Sequence, residues 1–164
     1  MEIKIKTSKE GAALKKLIGD INKNKKVSKA GWFEKEKYED GTQIAYVAAV
    51  QEFGDPAKKI PPRPYMRPTI KQKKIEWENI IAQLFKQSLN GDGDIDKILA
   101  SIGLRAAGDI RETITKLQDP PLKQSTINAR LNKKSDKKTI GNLYKPLVDS
   151  GVMLNTLTNV VEEK

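Results

Sequence analysis

The segment IPPRPYMRP, residues 60–68, restricts the fold of this chain more than any other part of the sequence. Proline fixes φ at about −65°, has no amide hydrogen and disfavours helical backbone in the residue before it. The segment can therefore form neither a central strand nor a regular helix. Because little conformational entropy is left to lose on binding, we predict a preorganised interface here. A stiff connector whose Pro68 begins the next helix is the alternative.

An alanine-rich helical pattern precedes the proline-rich segment. A turn at Asp40-Gly41 leads to Thr42, which we expect to cap a helix over residues 43–53. Gly54 suits the position just beyond the C-terminus of that helix. An apolar row at helical spacing predicts the face that packs on the core, and its members are Tyr46, Val50 and Phe53.

Two longer helical patterns follow the proline-rich segment. Apolar residues recur at helical spacing over residues 67–89 and again over residues 95–117, which predicts two long helices. Glycine destabilises a helix interior by about 1 kcal/mol relative to alanine. We therefore expect another part of the chain to pack closely at Gly103 and at Gly108.

The stretch GDGDID, residues 91–96, superficially resembles a calcium-binding loop. An EF-hand counted from Asp92 requires glycine and glutamate where this chain has Lys97 and Gly103. We therefore expect no calcium site, and we expect Asp94 to cap the helix that follows.

Shorter elements surround these helices. Residues 9–22 have helical periodicity, and residues 27–37 have the pattern of a strand with Trp32 and Phe33 on opposite faces. Strands near both ends with helices between them predict an α+β fold, with a small antiparallel sheet packed with two long helices and shorter helices. The remaining expectations are a short helix through Leu131 capped by Ser125, another capped by Asp149 or Ser150, and a closing strand over residues 158–163.

Length and composition favour one domain over residues 1–164. Residues 122–145 are polar and basic, and their KKSDKKTIGN stretch lacks periodicity, which predicts a mobile basic loop. No apolar run approaches the roughly 18 residues of a membrane span, and the N-terminus alternates apolar with charged residues. We therefore expect synthesis in a cytoplasm and no membrane association.

The sequence contains neither cysteine nor histidine. Disulfides, thiolate nucleophiles, Cys/His zinc sites and imidazole catalysis are thereby excluded. Paired carboxylates such as Glu76 and Glu78, or Asp92 and Asp94, are the remaining candidates for Mg²⁺ or glycosidase chemistry. Residues two apart on a helix do not share a face, which argues against the first pair. We expect no enzyme, no cofactor and no metal site.

The net charge of +10 is concentrated in two zones. Residues 1–38 carry eleven lysines against five carboxylates, and residues 122–145 carry seven cationic residues against one. Such zones attract a phosphate backbone through counterion release. A solvated lysine-rich surface that maintains solubility is the alternative. No stacking aromatic residues or nucleic-acid motif accompany the lysines, so reading of a base sequence is not expected.

Four stretches in fixed order resemble the tail-completion or head–tail joining proteins of tailed bacteriophages and prophages. They are GWFEKEKYEDGTQIAYVAAVQEFG, IPPRPYMRPTI, DPPLKQSTINAR and KPLVDSGVML, and the likeness covers roughly residues 30–157. The most specific parts are Glu52-Phe53-Gly54, the Pro-x-Arg-Pro-Tyr-Met-Arg-Pro motif at residues 61–68, and PLVDSG at residues 146–151.

The resemblance implies a non-enzymatic virion protein at the phage neck or tail, assembled in the host cytoplasm. It implies a homo-oligomeric ring that joins a portal-side adaptor to the tail tube or terminator proteins, with non-specific contact to genomic DNA. A closed ring requires each copy to use two different surfaces. A basic DNA-binding accessory protein of a phage or prophage is the alternative.

Two sets of residues are assigned roles under this interpretation. Aromatic and arginine side chains on a rigid segment are typical anchors of protein interfaces. The predicted partner-interface residues are Glu52, Phe53, Gly54, Arg63, Pro64, Tyr65, Met66 and Arg67. Lysines of the predicted basic loop would lie next to DNA phosphates if that loop lines a channel, or dock on an acidic partner surface. These DNA-proximal residues are Lys133, Lys134, Lys137 and Lys138.

Overall fold

The computed structural model describes residues 25–89, 94–132 and 143–163, together with scattered positions between residues 11 and 19. It is a mixed α+β fold with a small two-stranded antiparallel sheet, two long helices, α2 and α3, and shorter helices. The fold class expected from the sequence is therefore confirmed. In chain order the elements are β1 (Lys26–Gly31), α1 (Ile44–Phe53), α2 (Met66–Leu89), α3 (Ile95–Lys116), α4 (Gln124–Leu131), α5 (Val152–Asn155) and β2 (Thr158–Glu163).

The sheet consists of β1 paired with β2. The bounds of β2 match the predicted closing strand, but the predicted strand over residues 27–37 is wrong beyond Gly31. After that residue the chain leaves the sheet, because the indole Nε1 of Trp32 donates a hydrogen bond to the Met153 carbonyl at 2.7 Å. A turn follows, closed by a hydrogen bond from the Glu36 amide to the Phe33 carbonyl.

Helices α2 and α3 lie within one or two residues of their predicted bounds. Asp94 caps α3 as expected, since its Oδ1 accepts hydrogen bonds from the amides of Asp96 at 3.0 Å and Lys97 at 3.4 Å. Pro68 does not begin α2 but is its third residue. A proline is tolerated there because the amide it lacks would have no partner inside the helix.

The chain divides into two compact units. Within the described residues, the first unit takes in residues 25–30, 73–89, 94–106 and 159–163, and the second takes in residues 31–72, 107–132 and 143–158. Each has its own buried apolar residues. Those of the first include Ile98 and Ile102, and those of the second include Ile44, Ala48, Tyr65, Ala107, Ile110, Ile114, Ile127, Val148, Met153 and Leu157.

The two glycines of α3 differ in their surroundings. A Cβ atom added at Gly103 would contact the Ser28 Oγ and would lie 2.8 Å from Asn159 Nδ2, so close packing is confirmed there. A Cβ added at Gly108 would meet no atom within 4 Å. The expectation of close packing at Gly108 is therefore wrong.

Three predicted helix caps are wrong. The residues before α1, α4 and α5 are Gln43, Lys123 and Gly151, and none of them forms a side-chain cap. Each predicted cap has another position: Thr42 precedes the cap of α1, Ser125 lies inside α4, and Asp149 and Ser150 precede Gly151. The left-handed backbone of Gly151, with φ 78°, sets the start of α5 instead.

Two predictions fall partly on residues outside those described. The helix expected over residues 9–22 is one of them. The other is the basic loop over residues 122–145, of which residues 133–142, including all four predicted DNA-proximal lysines, are not described. The described part of that region is not all loop, because it contains α4. Within the described residues, no helix is long and apolar enough to cross a membrane.

Candidate functional site

The carboxylate of Glu52 lies at the centre of the candidate site. Glu52 is in the last turn of α1 and only 3% exposed. Its Oε2 accepts hydrogen bonds from the backbone amides of Tyr65 at 2.7 Å and Met66 at 2.9 Å. Its Oε1 accepts from the Arg67 amide at 3.2 Å and from the Arg67 Nε at 2.9 Å. One buried side chain thus holds the first turn of α2.

The physical need for this carboxylate follows from the start of α2. The first amides of a helix have no partner inside the helix. At this terminus those of Met66 and Arg67 bind Glu52, and Pro68 has no amide hydrogen to satisfy. A negative charge is also favoured by the dipole at a helix N-terminus. Glu52 therefore caps α2 from a different helix.

The same hydrogen bonds govern the protonation of Glu52. Burial alone would raise the pKa of its carboxyl. Hydrogen bonds from the amides of Tyr65, Met66 and Arg67 and from the Arg67 guanidinium outweigh burial, so the pKa is lowered. The carboxylate is therefore ionised at neutral pH and binds its donors as a charged acceptor.

Tyr65 is the largest fully buried side chain near this carboxylate, with 1% of its surface exposed. Its hydroxyl donates to the Ala48 carbonyl at 2.8 Å, and its ring meets that of Trp32 edge-on with 5.7 Å between centroids. Burial, with the nearby Glu52 charge, raises the pKa of the Tyr65 hydroxyl, so it remains a neutral donor. Tyr65 fixes the proline-rich segment to α1 from inside.

Arg63 connects the proline-rich segment to Pro120 and Pro121, which follow α3. It is 6% exposed, and its Nε and Nη2 donate to the carbonyls of Pro120 at 2.9 Å and Pro121 at 3.1 Å. Its backbone amide donates to the Gln51 carbonyl at 2.7 Å. Burial lowers the pKa of Arg63, and repulsion from Arg130 lowers it further.

Gly54 separates α1 from this segment as the sequence predicts. Its amide donates to the Val50 carbonyl at 2.8 Å, and its φ of 78° lies in the left-handed region. A Cβ atom here would lie 2.9 Å from the Ile60 carbonyl oxygen and 2.9 Å from the Pro62 nitrogen. Both the backbone angle and the space require glycine.

The structure brings the eight predicted interface residues together and divides them by exposure. Glu52, Arg63 and Tyr65 are buried, so they shape the segment from within. Phe53 is 66% exposed, and the Arg67 guanidinium lies 5.0 Å from its ring centroid. Pro64 is also exposed, Met66 is half-buried, and Gly54 supplies the turn.

The expected orientation of α1 is wrong. The buried face consists of Ile44, Ala48 and Glu52, whereas Tyr46 is 52% and Phe53 66% exposed. The amides at the start of α2 need a hydrogen-bond acceptor, so the charged Glu52 faces inward. The predicted apolar row therefore lies on the other, more exposed side of α1. Tyr46, expected on the core-packing face, is therefore a surface residue. Its hydroxyl accepts a hydrogen bond from the Lys58 ammonium at 3.2 Å. Tyr46 and Phe53 are two helical turns apart, so the spacing places them on one face but does not show whether that face is buried.

Comparison with protein-family models, with characterised proteins and with solved structures gives no match for this chain. Among the residues that the structure describes, no group of three or more carboxylates is placed to hold a metal ion.

Proposed function

We propose that the protein is a structural virion component of the phage neck, which completes the tail and joins it to the DNA-filled head through ring-forming protein contacts. It acts without catalysis or a cofactor, and its partners are further copies of itself, a portal-side adaptor and the tail tube or terminator proteins. Its location is the neck or tail of the virion.

One observation carries the proposal. The residues that give the chain its resemblance to head–tail joining proteins, Glu52-Phe53-Gly54 and the motif at residues 61–68, form one hydrogen-bonded unit around the Glu52 carboxylate. Such a unit presents its exposed members, Phe53 and Arg67, in a fixed arrangement. Preorganisation lowers the entropy lost on assembly, which suits a protein that acts by geometry.

The test is electron microscopy of lysates from the parent phage, or the induced prophage, with this reading frame deleted. The proposal predicts DNA-filled heads separate from tails, or tails with abnormal length or unfinished ends. Supplying the protein from a plasmid should restore joined particles. Intact, joined and infectious particles in the deletion lysate would refute the neck assignment.

A basic DNA-binding accessory protein is the second candidate, and the net charge of +10 is the observation that favours it. This alternative predicts tight binding of the isolated protein to free duplex DNA, with affinity that falls steeply as salt rises. A joining protein should bind free duplex weakly as a monomer. Filter binding across a salt series separates the two functions.

A further inference from the structure

A cleft of about 390 Å³ in the second compact unit is lined by an excess of cationic side chains. It is bordered by α1, by the segment that leads into the proline-rich motif, by the start of α4 and by the turn before α5. Its cationic residues are Lys58, Lys59, Arg63, Lys123 and Arg130, and among the described residues that line it the only carboxylate is Asp149.

Backbone carbonyls hold the guanidinium groups of the two arginines in this cleft. The Arg130 Nη1 donates to the carbonyls of Lys145 at 2.8 Å and Val148 at 3.2 Å, as Arg63 does to the carbonyls of two prolines. Carbonyl oxygens fix the direction of a guanidinium but carry no net charge to cancel it. The Asp149 carboxylate lies 3.6 Å from the Arg130 Nε. The Asp55 carboxylate, outside the lining, lies 3.6 Å from the Lys58 Nζ, so carboxylates offset two of the five cations. The lining therefore has a net positive charge.

The cleft also has an apolar part. Its apolar lining residues are Val47, Ile60, Pro61, Leu122, Leu147 and Met153. Binding pockets are typically lined by apolar side chains with a few charged groups that fix orientation. An occupant of this cleft should accordingly offer negative charge and apolar surface together.

We propose that this cleft binds an acidic segment of a partner protein, with carboxylates facing the cationic side chains and an apolar side chain against the apolar lining. The exposed ammonium groups of Lys58, Lys59 and Lys123 are the groups that would bind these carboxylates. The guanidiniums of Arg63 and Arg130, held by backbone carbonyls, add positive charge behind them. A duplex DNA backbone supplies charge but no apolar side chain. Single-stranded nucleic acid is usually bound by several stacking aromatic rings, and in the part of the lining that the structure describes Tyr38 is the one aromatic residue. The inference rests on the cleft alone and stands whether or not the neck assignment holds.

The direct test uses a fluorescently labelled, capped peptide with one leucine between two pairs of glutamates, titrated with the full-length protein and followed by anisotropy. The first variant combines Lys58→Glu, Lys59→Glu and Lys123→Glu. Its matched control combines Lys71→Glu, Lys74→Glu and Lys86→Glu, which changes the net charge equally at exposed lysines that do not line the cleft. Thermal unfolding of each variant is measured first, and Lys59→Glu alone replaces the triple variant if that variant melts early.

We expect the cleft variant to bind the peptide at least about tenfold more weakly than wild type, and the control to lose less than about threefold. Replacing the peptide leucine by serine should also weaken binding to the wild type. Equal binding by the cleft and control variants would overturn the proposal. Tighter binding of a duplex DNA of equal charge, lost in the cleft variant alone, would overturn it in favour of nucleic acid. Self-association lost in the cleft variant alone would overturn it in favour of a second copy.

Discussion

The Glu52 carboxylate accepts a hydrogen bond of 2.7 Å from the backbone amide of Tyr65, thirteen residues further along the chain. This contact joins the last turn of α1 to the first turn of α2 across the proline-rich segment. The proline-rich segment and the Glu52 carboxylate together fix how α2 begins. The prolines restrict the backbone, and Glu52 fixes the turn in which the helix starts.

Replacing Glu52 by glutamine should destabilise the protein. An amide side chain keeps one acceptor oxygen and replaces the other by a donor, so that a buried donor would face the α2 amides. We expect a loss of about 3 kcal/mol in the free energy of unfolding, measured by urea denaturation. Glu78→Gln is the matched control, since the Glu78 side chain is 60% exposed and its change should stay within about 0.5 kcal/mol. Equal stability of wild type and Glu52→Gln would contradict this account.

The Glu52 contact should also make stability depend on pH in acid. Its folded pKa is lowered below the ordinary value of 4.5. The unfolded state therefore binds the proton more readily, and the stabilisation is fully present above that value and lost as the pH falls through the folded pKa. The stability difference between wild type and Glu52→Gln should shrink between about pH 6 and about pH 3. A difference that stays constant across this range would show that the Glu52 charge is not responsible.

The sequence predicts α2, α3 and β2 well because their patterns are long or bounded by clear turn signals. It also gives the bounds of α1 within one residue, but it predicts the wrong buried face, because the choice of face depends on which row meets Tyr65 and the start of α2. Helical periodicity does not show what each face of α1 packs against. A charged residue usually indicates an exposed face, so Glu52 favours the wrong orientation of this helix. The same limit applies to the cleft, because Arg63 and Arg130 are far apart in sequence and only the fold brings their charges together.

The two glycines of α3 should respond oppositely to the same substitution. Gly108→Ala adds a methyl group in open space and favours the helix, so we expect about 1 kcal/mol of added stability. Gly103→Ala puts that methyl group against Ser28 and Asn159, and we expect a net loss of about 1 to 2 kcal/mol. Thermal or urea unfolding of both variants provides the measurement. An equal gain in both would mean that the β1 and β2 residues do not pack against Gly103.

The exposed part of the site offers a test of joining that leaves the fold intact. Phe53 is 66% exposed and contacts the Arg67 guanidinium, an interaction of about 0.5 to 1 kcal/mol at exposed positions. Phe53→Ser should therefore retain nearly all of the stability while removing an apolar anchor of the proposed ring contact. In phage lacking the chromosomal copy, plasmid-borne Phe53→Ser should restore at most about a tenth of the joined particles that wild type restores. Ile75→Ser is the control, because this α2 side chain is 72% exposed and outside the predicted interface. If Phe53→Ser restores joining as well as Ile75→Ser does, the surface at the end of α1 is not the contact and the ring must form through another face.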